Sequence, residues 1–228
     1  MKKNYYLLFG VFMSVITVLF TSCDDDDKYD YDEIRPTALV TVKPNADNTS
    51  FVMQLNDSVV LYPSNLKSSP FGTKEVRAFV NYELEDDVSN NYGTIVEVNR
   101  IDSILTKQMA ISRGEENLTI YGNDPVEVIN SWETVVEDGY LTLRFRTVRS
   151  YASRHYVNLV ASGDEENPFK VTFHHKATNV GKGVLGDSYV AFRLSDLPDT
   201  NGETVDLILE WKSFSGVKTA KFKYRTRK

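Results

Sequence analysis

Residues that carry metal and thiol chemistry are scarce in this 228-residue sequence, which holds one cysteine, Cys23, and three histidines. A single cysteine cannot form an intramolecular disulfide, so packed cores must stabilise the fold. His174 and His175 are adjacent on a predicted strand, and neighbouring strand residues point to opposite faces. His155 is the third histidine, and the sequence contains no G-x-S-x-G motif. We therefore predict no metal site, no cofactor and no Ser–His–Asp triad.

Helical periodicity after residue 36 and excess positive charge are also lacking. The formal net charge is −6, and residues 24–33 hold seven acidic side chains and one lysine. The rest of the chain is nearly neutral, so no general basic field attracts nucleic acid. Basic residues within 218–228 alternate with apolar ones, which is typical of an edge strand protected against aggregation, although some small barrels bind polymers through such a face. We predict no nucleic-acid partner.

The N-terminus has the layout of a secretory signal. Lys2 and Lys3 precede an apolar run at residues 5–20, which is shorter than the roughly 20 residues of a membrane-spanning helix. The run ends in Leu-Phe-Thr-Ser-Cys, which resembles a bacterial lipobox with the small Ser22 before Cys23. We predict cleavage before Cys23 and its acylation, since several acyl chains anchor a protein stably. The alternative is an ordinary signal peptide followed by a buried cysteine.

Four aspartates, Asp24, Asp25, Asp26 and Asp27, follow the cysteine directly. Burial of a cysteine beside four carboxylates is unfavourable, because ionised carboxylates are costly to desolvate. The run resembles the surface-export signal of lipoproteins in some Gram-negative gut and oral anaerobes. A solvated spacer and a remnant of a cleavable tag are the alternatives. We expect a lipid-anchored outer-membrane protein that faces the cell exterior.

The mature chain alternates apolar and polar residues and is rich in β-branched and aromatic ones, which predicts an all-β protein. The break at Asp124-Pro125 divides it. The predicted segments are a signal peptide at 1–22, the lipidated cysteine and acidic tether at 23–36, a small barrel at 37–123 and a β-sandwich at 124–228. Five or six strand-like runs suit the barrel, and seven suit an immunoglobulin-like sandwich.

Three long segments, together with the lipobox and its acidic run, resemble the NigD-like lipoproteins. They are TALVTVKPNADNTSFVMQLNDSVVLYP at 37–63, EVRAFVNYEL at 75–84 and FRTVRSYASRHYVNLV at 145–160. The resemblance implies an N-terminal OB-type barrel and a C-terminal β-sandwich. It also implies an association with bacteriocin genes, for which a role in immunity or secretion has been suggested. It provides no mechanism and no functional residues.

Motifs typical of catalysis are weak. Residues 181–186, GKGVLG, match G-x-G-x-x-G, but a dinucleotide site needs a helix afterwards, and the following residues 189–194 are strand-like. We predict a flexible hairpin loop there. The acidic clusters at 85–87 and 164–166 fall in predicted loops, whereas a glycosidase needs two carboxylates at a set separation across a cleft. We predict no catalytic residues.

Two short sequences resemble the three-residue O-glycosylation signals of the same anaerobes. They are Asp57-Ser58-Val59 and Asp102-Ser103-Ile104. The candidate acceptors are Ser58 and Ser103. The alternative is turn chemistry at strand edges, where aspartate and serine side chains bind nearby backbone groups.

The function predicted from these features is non-catalytic binding. Thirteen tyrosines, including Tyr82, Tyr92, Tyr121 and Tyr151, could form platforms for a protein or a glycan. The leading hypothesis is a surface binding module, attached to the membrane through acylated Cys23 and linked to a bacteriocin-associated immunity or secretion system. The alternatives are a glycan-capturing lipoprotein partnered with an importer and a surface glycan-degrading enzyme.

Overall fold

The computed structural model describes residues 35–85 and 93–227. Cys23, the four aspartates at 24–27 and the predicted signal peptide lie outside the described residues, as does Tyr92. Within the described ranges, no helix is long and apolar enough to cross a membrane.

The N-terminal domain is a closed five-stranded barrel with the strand order β1-β2-β3-β5-β4. Its strands are β1 (Ala38–Pro44), β2 (Phe51–Gln54), β3 (Val60–Pro63), β4 (Val76–Leu84) and β5 (Thr94–Ser103). Alternate residues such as Val40, Met53 and Val80 fill the interior. The first five residues of β1 are all buried, because one face of β1 lines the barrel and the other packs on the next domain. The predicted barrel is confirmed.

The C-terminal domain is a sandwich of two sheets, ordered β10-β11-β13-β14 and β6-β12-β9-β7, with β8 paired to β9. The strands are β6 (Leu105–Gln108), β7 (Glu127–Val128), β8 (Val135–Glu137), β9 (Tyr140–Arg149), β10 (Arg154–Ala161), β11 (Lys170–Thr178), β12 (Val184–Arg193), β13 (Val205–Ser213) and β14 (Gly216–Tyr224). Their facing sides enclose one apolar core. Two pairings are parallel, β11 with β13 and β6 with β12, whereas immunoglobulin sheets are antiparallel.

Three local features differ from the sequence expectations. Residues 105–108 were expected in the barrel, yet they form β6 of the sandwich, because the chain turns at the buried Ile104. A short helix, α1 (Asn117–Tyr121), follows a 3₁₀ turn. It buries no residue, so the sequence shows no apolar periodicity that would predict it. The predicted hairpin loop at 181–186 is wrong: these residues lead from β11 in one sheet to β12 in the other.

A carboxylate at the contact between barrel and sandwich joins the two domains. Glu75 accepts hydrogen bonds from Arg227 at 2.6 and 2.9 Å, from Arg193 at 2.7 Å and from the Tyr140 hydroxyl at 2.6 Å. Burial alone would raise the pKa of Glu75. The Arg227 and Tyr140 hydrogen bonds and the charges of both arginines outweigh it and lower that pKa to about 2.

Asp138 and the fully buried Arg77 strengthen the same contact. Asp138 and Gly139 form a two-residue hairpin turn with positive φ at both positions, as a type I′ turn requires. The carboxylate of Asp138 pairs with Lys43 at 3.0 Å and with Arg227 at 3.3 Å. Arg77 donates a hydrogen bond to the Thr41 hydroxyl at 3.0 Å. Across the contact, it pairs with the carboxylate of Glu137 in β8 at 3.3 Å.

Candidate functional site

The barrel–sandwich contact contains a polar pocket of about 170 Å³. The charged side chains that line it form ion pairs with one another. Of its two carboxylates, Asp57 pairs with Arg225 at 3.0 Å, and Asp138 pairs with Lys43 and Arg227. A glycoside hydrolase needs one protonated and one free carboxylate facing its substrate. In this pocket both carboxylates therefore hold the contact between the two domains.

The opposite end of the sandwich gathers three connections, which we call the loop end. They are residues 150–153 between β9 and β10, 179–183 between β11 and β12, and 214–215 between β13 and β14. The first two are tied together by a 3.0 Å hydrogen bond from the Ser150 hydroxyl to the Asn179 carbonyl. The loop end lies away from the barrel because β9 begins at the barrel contact, with Tyr140, and ends at Arg149.

The glycines of the G-x-G-x-x-G match have steric roles at this end. Gly181 has a φ of +53°, which favours glycine. A Cβ at Gly183 would lie 2.5 Å from the carbonyl oxygen of Arg149, so only glycine lets the connection run this close to β9. Strand β12 follows directly, and no helix N-terminus is present to hold a pyrophosphate.

Large apolar side chains are exposed on the loop end and the strand residues beside it. Tyr151 is fully exposed, Val184 is 75% exposed and Leu185 is 61% exposed. Phe214 and Val217 are 50% and 66% exposed. Exposed apolar side chains are ordinary one by one, but several at one end of a domain are typical of an interaction site. Of the five, Phe214 lines a pocket.

An apolar pocket of about 190 Å³ opens at this end. Its walls include Pro125, Val148, Val180 and Phe214, and the buried His175 contributes a polar group. The pocket lies between the two sheets where their strands end, since Val148 belongs to β9 and His175 to β11. It is the point on the loop end where a partner could insert a side chain.

His175 belongs to a chain of hydrogen bonds behind the pocket. Its Nε2 lies 2.9 Å from Nδ1 of His155, and its Nδ1 lies 3.3 Å from the carbonyl of Asp124. Nε2 of His155 lies 2.9 Å from the Ser153 hydroxyl. The imidazole planes differ by 3° and their centres are 5.2 Å apart, so the two nitrogens point at each other along one line. That geometry suits a shared proton and leaves no room for a metal ion between them.

Both members of the histidine pair are biased towards the neutral form. Burial lowers the pKa of His175, and the charge of His155 lowers it further. Burial and the nearby Arg149 lower the pKa of His155. His174 points away, with Nδ1 3.0 Å from the carbonyl of Gly122, as adjacent strand residues should. No group of three or more metal-ligating side chains occurs in the described ranges.

A second exposed aromatic group lies where the sandwich meets the barrel. Trp132 is 54% exposed and packs edge-on against Phe79 at 5.8 Å between ring centres. Phe79 in turn contacts Tyr189 at 4.9 Å. On the same sheet, Arg144 of β9 binds Asp187 of β12 at 2.7 Å. A flat ring beside fixed polar groups is a surface on which a sugar ring could stack.

The remaining predicted residues are dispersed. Ser58 and Ser103 are both exposed; Ser58 lies in the turn between β2 and β3, and Ser103 is the last residue of β5. Tyr82 packs against the barrel core and the Tyr121 hydroxyl binds a backbone carbonyl, so of the named tyrosines in the described ranges only Tyr151 stands free at the loop end. The acidic cluster at 164–166 lies in an exposed turn, and residues 86–87 of the other cluster lie outside the described residues.

The basic strand has partners for its charges. β14 is an edge strand, as predicted. Lys218 binds Glu127 at 2.6 Å, and Lys223 binds Asp206 at 2.7 Å. These pairs reduce the positive charge that a nucleic-acid backbone would need.

Comparison with known proteins identifies the family. The model of the NigD-like N-terminal OB domain matches residues 39–104, and that of the NigD-like C-terminal β-sandwich domain matches residues 109–224. The chain belongs to the NigD-like family. Strand β6, at residues 105–108, falls between the two matched ranges. No curated protein matches the sequence.

Three solved structures share this architecture. A protein of Parabacteroides distasonis described as toxin related has 35% identity and a TM-score of 0.70, over 82% of this chain and 92% of its own. A NigD-like immunity protein of Bacteroides caccae has 18% identity and a TM-score of 0.60, over 82% and 96%. A lipoprotein structure from Bacteroides fragilis has 11% identity and a TM-score of 0.55, over 84% and 98%. The last two similarities concern the fold alone.

Proposed function

We propose that this NigD-like protein is a lipid-anchored outer-membrane protein that faces the cell exterior and binds another protein through the loop end. The observation that carries this proposal is the apolar pocket of about 190 Å³, which has the half-exposed Phe214 in its wall and lies at the end of the sandwich where other apolar side chains are also exposed. Interaction sites on folded proteins are marked by such groups. The anchor is acylated Cys23, and the aspartates at 24–27 act as the export signal.

The proposed activity is binding without catalysis, in a bacteriocin-associated immunity or secretion system. One structural relative carries the name of an immunity protein and another is described as toxin related. Those names belong to the relatives, and they motivate a protein partner here. The carboxylates of the polar pocket, Asp57 and Asp138, are both held in ion pairs, which favours a non-enzymatic role.

Protease treatment of intact cells tests the location. We expect the sandwich to be degraded in cells that make the wild-type protein. A variant with asparagine in place of the four aspartates at 24–27 keeps Cys23 and serves as a matched control, which we expect to be protected. Cys23→Ala should release the protein from the membrane fraction. Protection of the wild type would place the domains in the periplasm and refute surface exposure.

Sensitivity to bacteriocins tests the function. A deletion strain is complemented with wild type, with a loop-end variant (Tyr151→Ser, Leu185→Ser, Phe214→Ser) and with a control variant that removes exposed apolar groups elsewhere (Leu84→Ser, Leu118→Ser). We expect deletion to raise sensitivity, and the wild type and the control to restore resistance. The loop-end variant should fail at equal abundance. Unchanged sensitivity on deletion would argue against an immunity role.

Glycan capture, with an importer as partner, is the second candidate function, and Trp132 favours it. Its ring is exposed and is held by Phe79, while Arg144 and Asp187 lie fixed nearby. Glycan-array binding by the mature protein tests this candidate. Trp132→Ala should abolish the signal, and Tyr156→Ala, which removes another exposed ring, should retain it. Silence of the array with wild type would remove the candidate.

Ser58 and Ser103 remain our candidate O-glycosylation sites, and both are exposed. Intact-mass measurement of protein from the native host should show added hexose mass. Replacing both serines with alanine should remove that mass. A wild-type mass equal to that of the acylated polypeptide would exclude the modification.

A further inference from the structure

The charge on the loop end extends the proposed function, on which this inference rests. Four cations occupy its rim: Arg149 at the end of β9, Arg154 at the start of β10, Lys182 in the second connection and Lys212 near the end of β13. Among the described residues, none of the four lies within ion-pair distance of a carboxylate. The guanidinium of Arg149 donates at 3.0 Å to a backbone carbonyl, that of residue 187.

The carboxylates near the loop end balance only part of its positive charge. Asp187 binds Arg144 at 2.7 Å and Arg146 at 2.6 Å, and Arg144 also pairs with Glu133 at 3.4 Å, so these two cations and two anions balance one another. The carboxylate of Asp124 lines the pocket and accepts the backbone N–H of Ala177 at 2.7 Å, but the four rim cations outnumber this one negative charge. The loop end is therefore locally positive, although the whole chain carries a net charge of −6.

Positive charge and apolar exposure coincide at this end. Arg149 is adjacent to Val184 across the β9–β12 pairing, and Lys212 is paired with Val217 across the β13–β14 hairpin. The strand β14, in contrast, carries lysines that are paired with acids, such as Lys218 with Glu127. Rim charges of one sign steer a partner of opposite sign, while the apolar centre supplies contact area.

We infer that the loop end binds an acidic protein surface, which inserts one large apolar side chain into the pocket beside His175. The pocket volume of about 190 Å³ is below the roughly 300–1,000 Å³ typical of sites for drug-sized ligands, and it suits a single side chain. Its walls are largely apolar, which matches leucine, methionine or phenylalanine. A protruding side chain at a fixed position is a feature of a protein surface and not of a lipid headgroup layer.

A random peptide display library is the probe for this partner chemistry. The mature protein should enrich peptides in which aspartate or glutamate flanks a large apolar residue. The enriched peptide is then synthesised in two further forms, one with its acids replaced by amides and one with its apolar residue replaced by alanine. Each change should weaken binding about tenfold or more, and the affinity should fall several-fold between low and high salt.

Variants of the protein locate the binding. Arg154→Glu with Lys182→Glu should weaken the acidic peptide about tenfold or more. Lys67→Glu with Lys74→Glu makes the same change in net charge on exposed barrel residues and should have no effect. Val180→Trp fills the pocket and should also abolish preference for the apolar residue. Unchanged thermal unfolding of the charge variants shows that their fold is intact.

The outcomes separate this inference from the proposed function. The enriched peptides could instead be neutral or basic and bind the Phe214→Ser variant less well than the wild type. That result would refute the acidic partner but keep the loop end as the binding site. No enrichment, together with retained bacteriocin resistance in the loop-end variant, would refute both. Vesicles with one-fifth anionic phosphatidylglycerol test a lipid surface as the partner. If the protein binds them more tightly than it binds the peptide, and the Arg154→Glu, Lys182→Glu variant does not bind them, the protein partner is refuted in favour of a lipid surface.

Discussion

Replacement of Glu75 with glutamine tests how the barrel is joined to the sandwich. The folded protein lowers the pKa of Glu75 from 4.5 to about 2. At about 1.4 kcal/mol per pKa unit, this shift corresponds to at most about 3.4 kcal/mol of stability. Solvent screens part of the interaction because the side chain is not fully buried, so about 2 kcal/mol is a better expectation.

The pH dependence identifies the charge as the cause. A carboxylate with a depressed folded-state pKa stabilises the protein fully above its unfolded pKa, and this contribution disappears as the pH falls through the folded pKa. The difference in unfolding free energy between wild type and Glu75→Gln should therefore be about 2 kcal/mol at pH 7. It should decline between about pH 4.5 and pH 2. Urea unfolding followed by tryptophan fluorescence at several pH values measures it.

Glu127→Gln is the matched control. Glu127 pairs with Lys218 on the sandwich surface, with both side chains partly exposed. Exposed pairs contribute about 0–1 kcal/mol, so this variant should differ little from wild type at any pH. A Glu75→Gln difference that is independent of pH, or no larger than that of the control, would refute the proposed contribution of the ionised carboxylate.

Three further predictions concern the buried polar groups and the sharp turns. His175→Phe should remove part of the loss of stability on acidification from about pH 7 to 5, since the lowered pKa values of His175 and His155 let the unfolded chain bind protons first; an unchanged urea-unfolding pH profile would count against this. Arg77→Ala should cost about 3–5 kcal/mol because it leaves the partly buried carboxylate of Glu137 without its cation, and a loss below 1 kcal/mol would contradict it. Gly122→Ala should destabilise the sandwich by more than about 1 kcal/mol, because φ is +90° and a Cβ would lie 2.5 Å from the His175 carbonyl oxygen; thermal unfolding unaffected by the change would show that the loop relaxes freely.

Sequence patterns predicted an all-β fold of a barrel followed by a sandwich, because that prediction depends on local alternation and on long matching segments. The strand predicted from alternation at 75–84 is an example: alternate residues from Val76 to Leu84 are apolar, and the observed strand spans Val76–Leu84. The boundary near residue 105 was less accessible, since residues 94–105 contain no glycine or proline to separate the strand that ends at Ser103 from the one that begins at Leu105. Only the pairing of Leu105 with Val190 shows that this stretch serves two domains.

The candidate site depends on contacts that alternation does not encode. His155 and His175 are 20 residues apart, and their in-line hydrogen bond follows from the register of β10 and β11. Glu75 meets Arg227 across 152 residues, which no local pattern reveals. The exposure of Phe214 was equally hidden, because an apolar residue next to a strand is ordinarily expected in the core.

The barrel offers less free surface than its fold alone would imply. OB barrels usually bind ligands across strands two and three and the adjoining loops. Here the turn between β2 and β3 is held by the Asp57–Arg225 pair. The outer side of β1 is also covered, since Leu39 packs with Tyr140 and Ala191 of the sandwich. Because these contacts join the domains, the barrel is better suited to supporting the sandwich than to binding a polymer. The loop end lies at the other end of the sandwich from the barrel contact, so binding there would not require separation of the two domains.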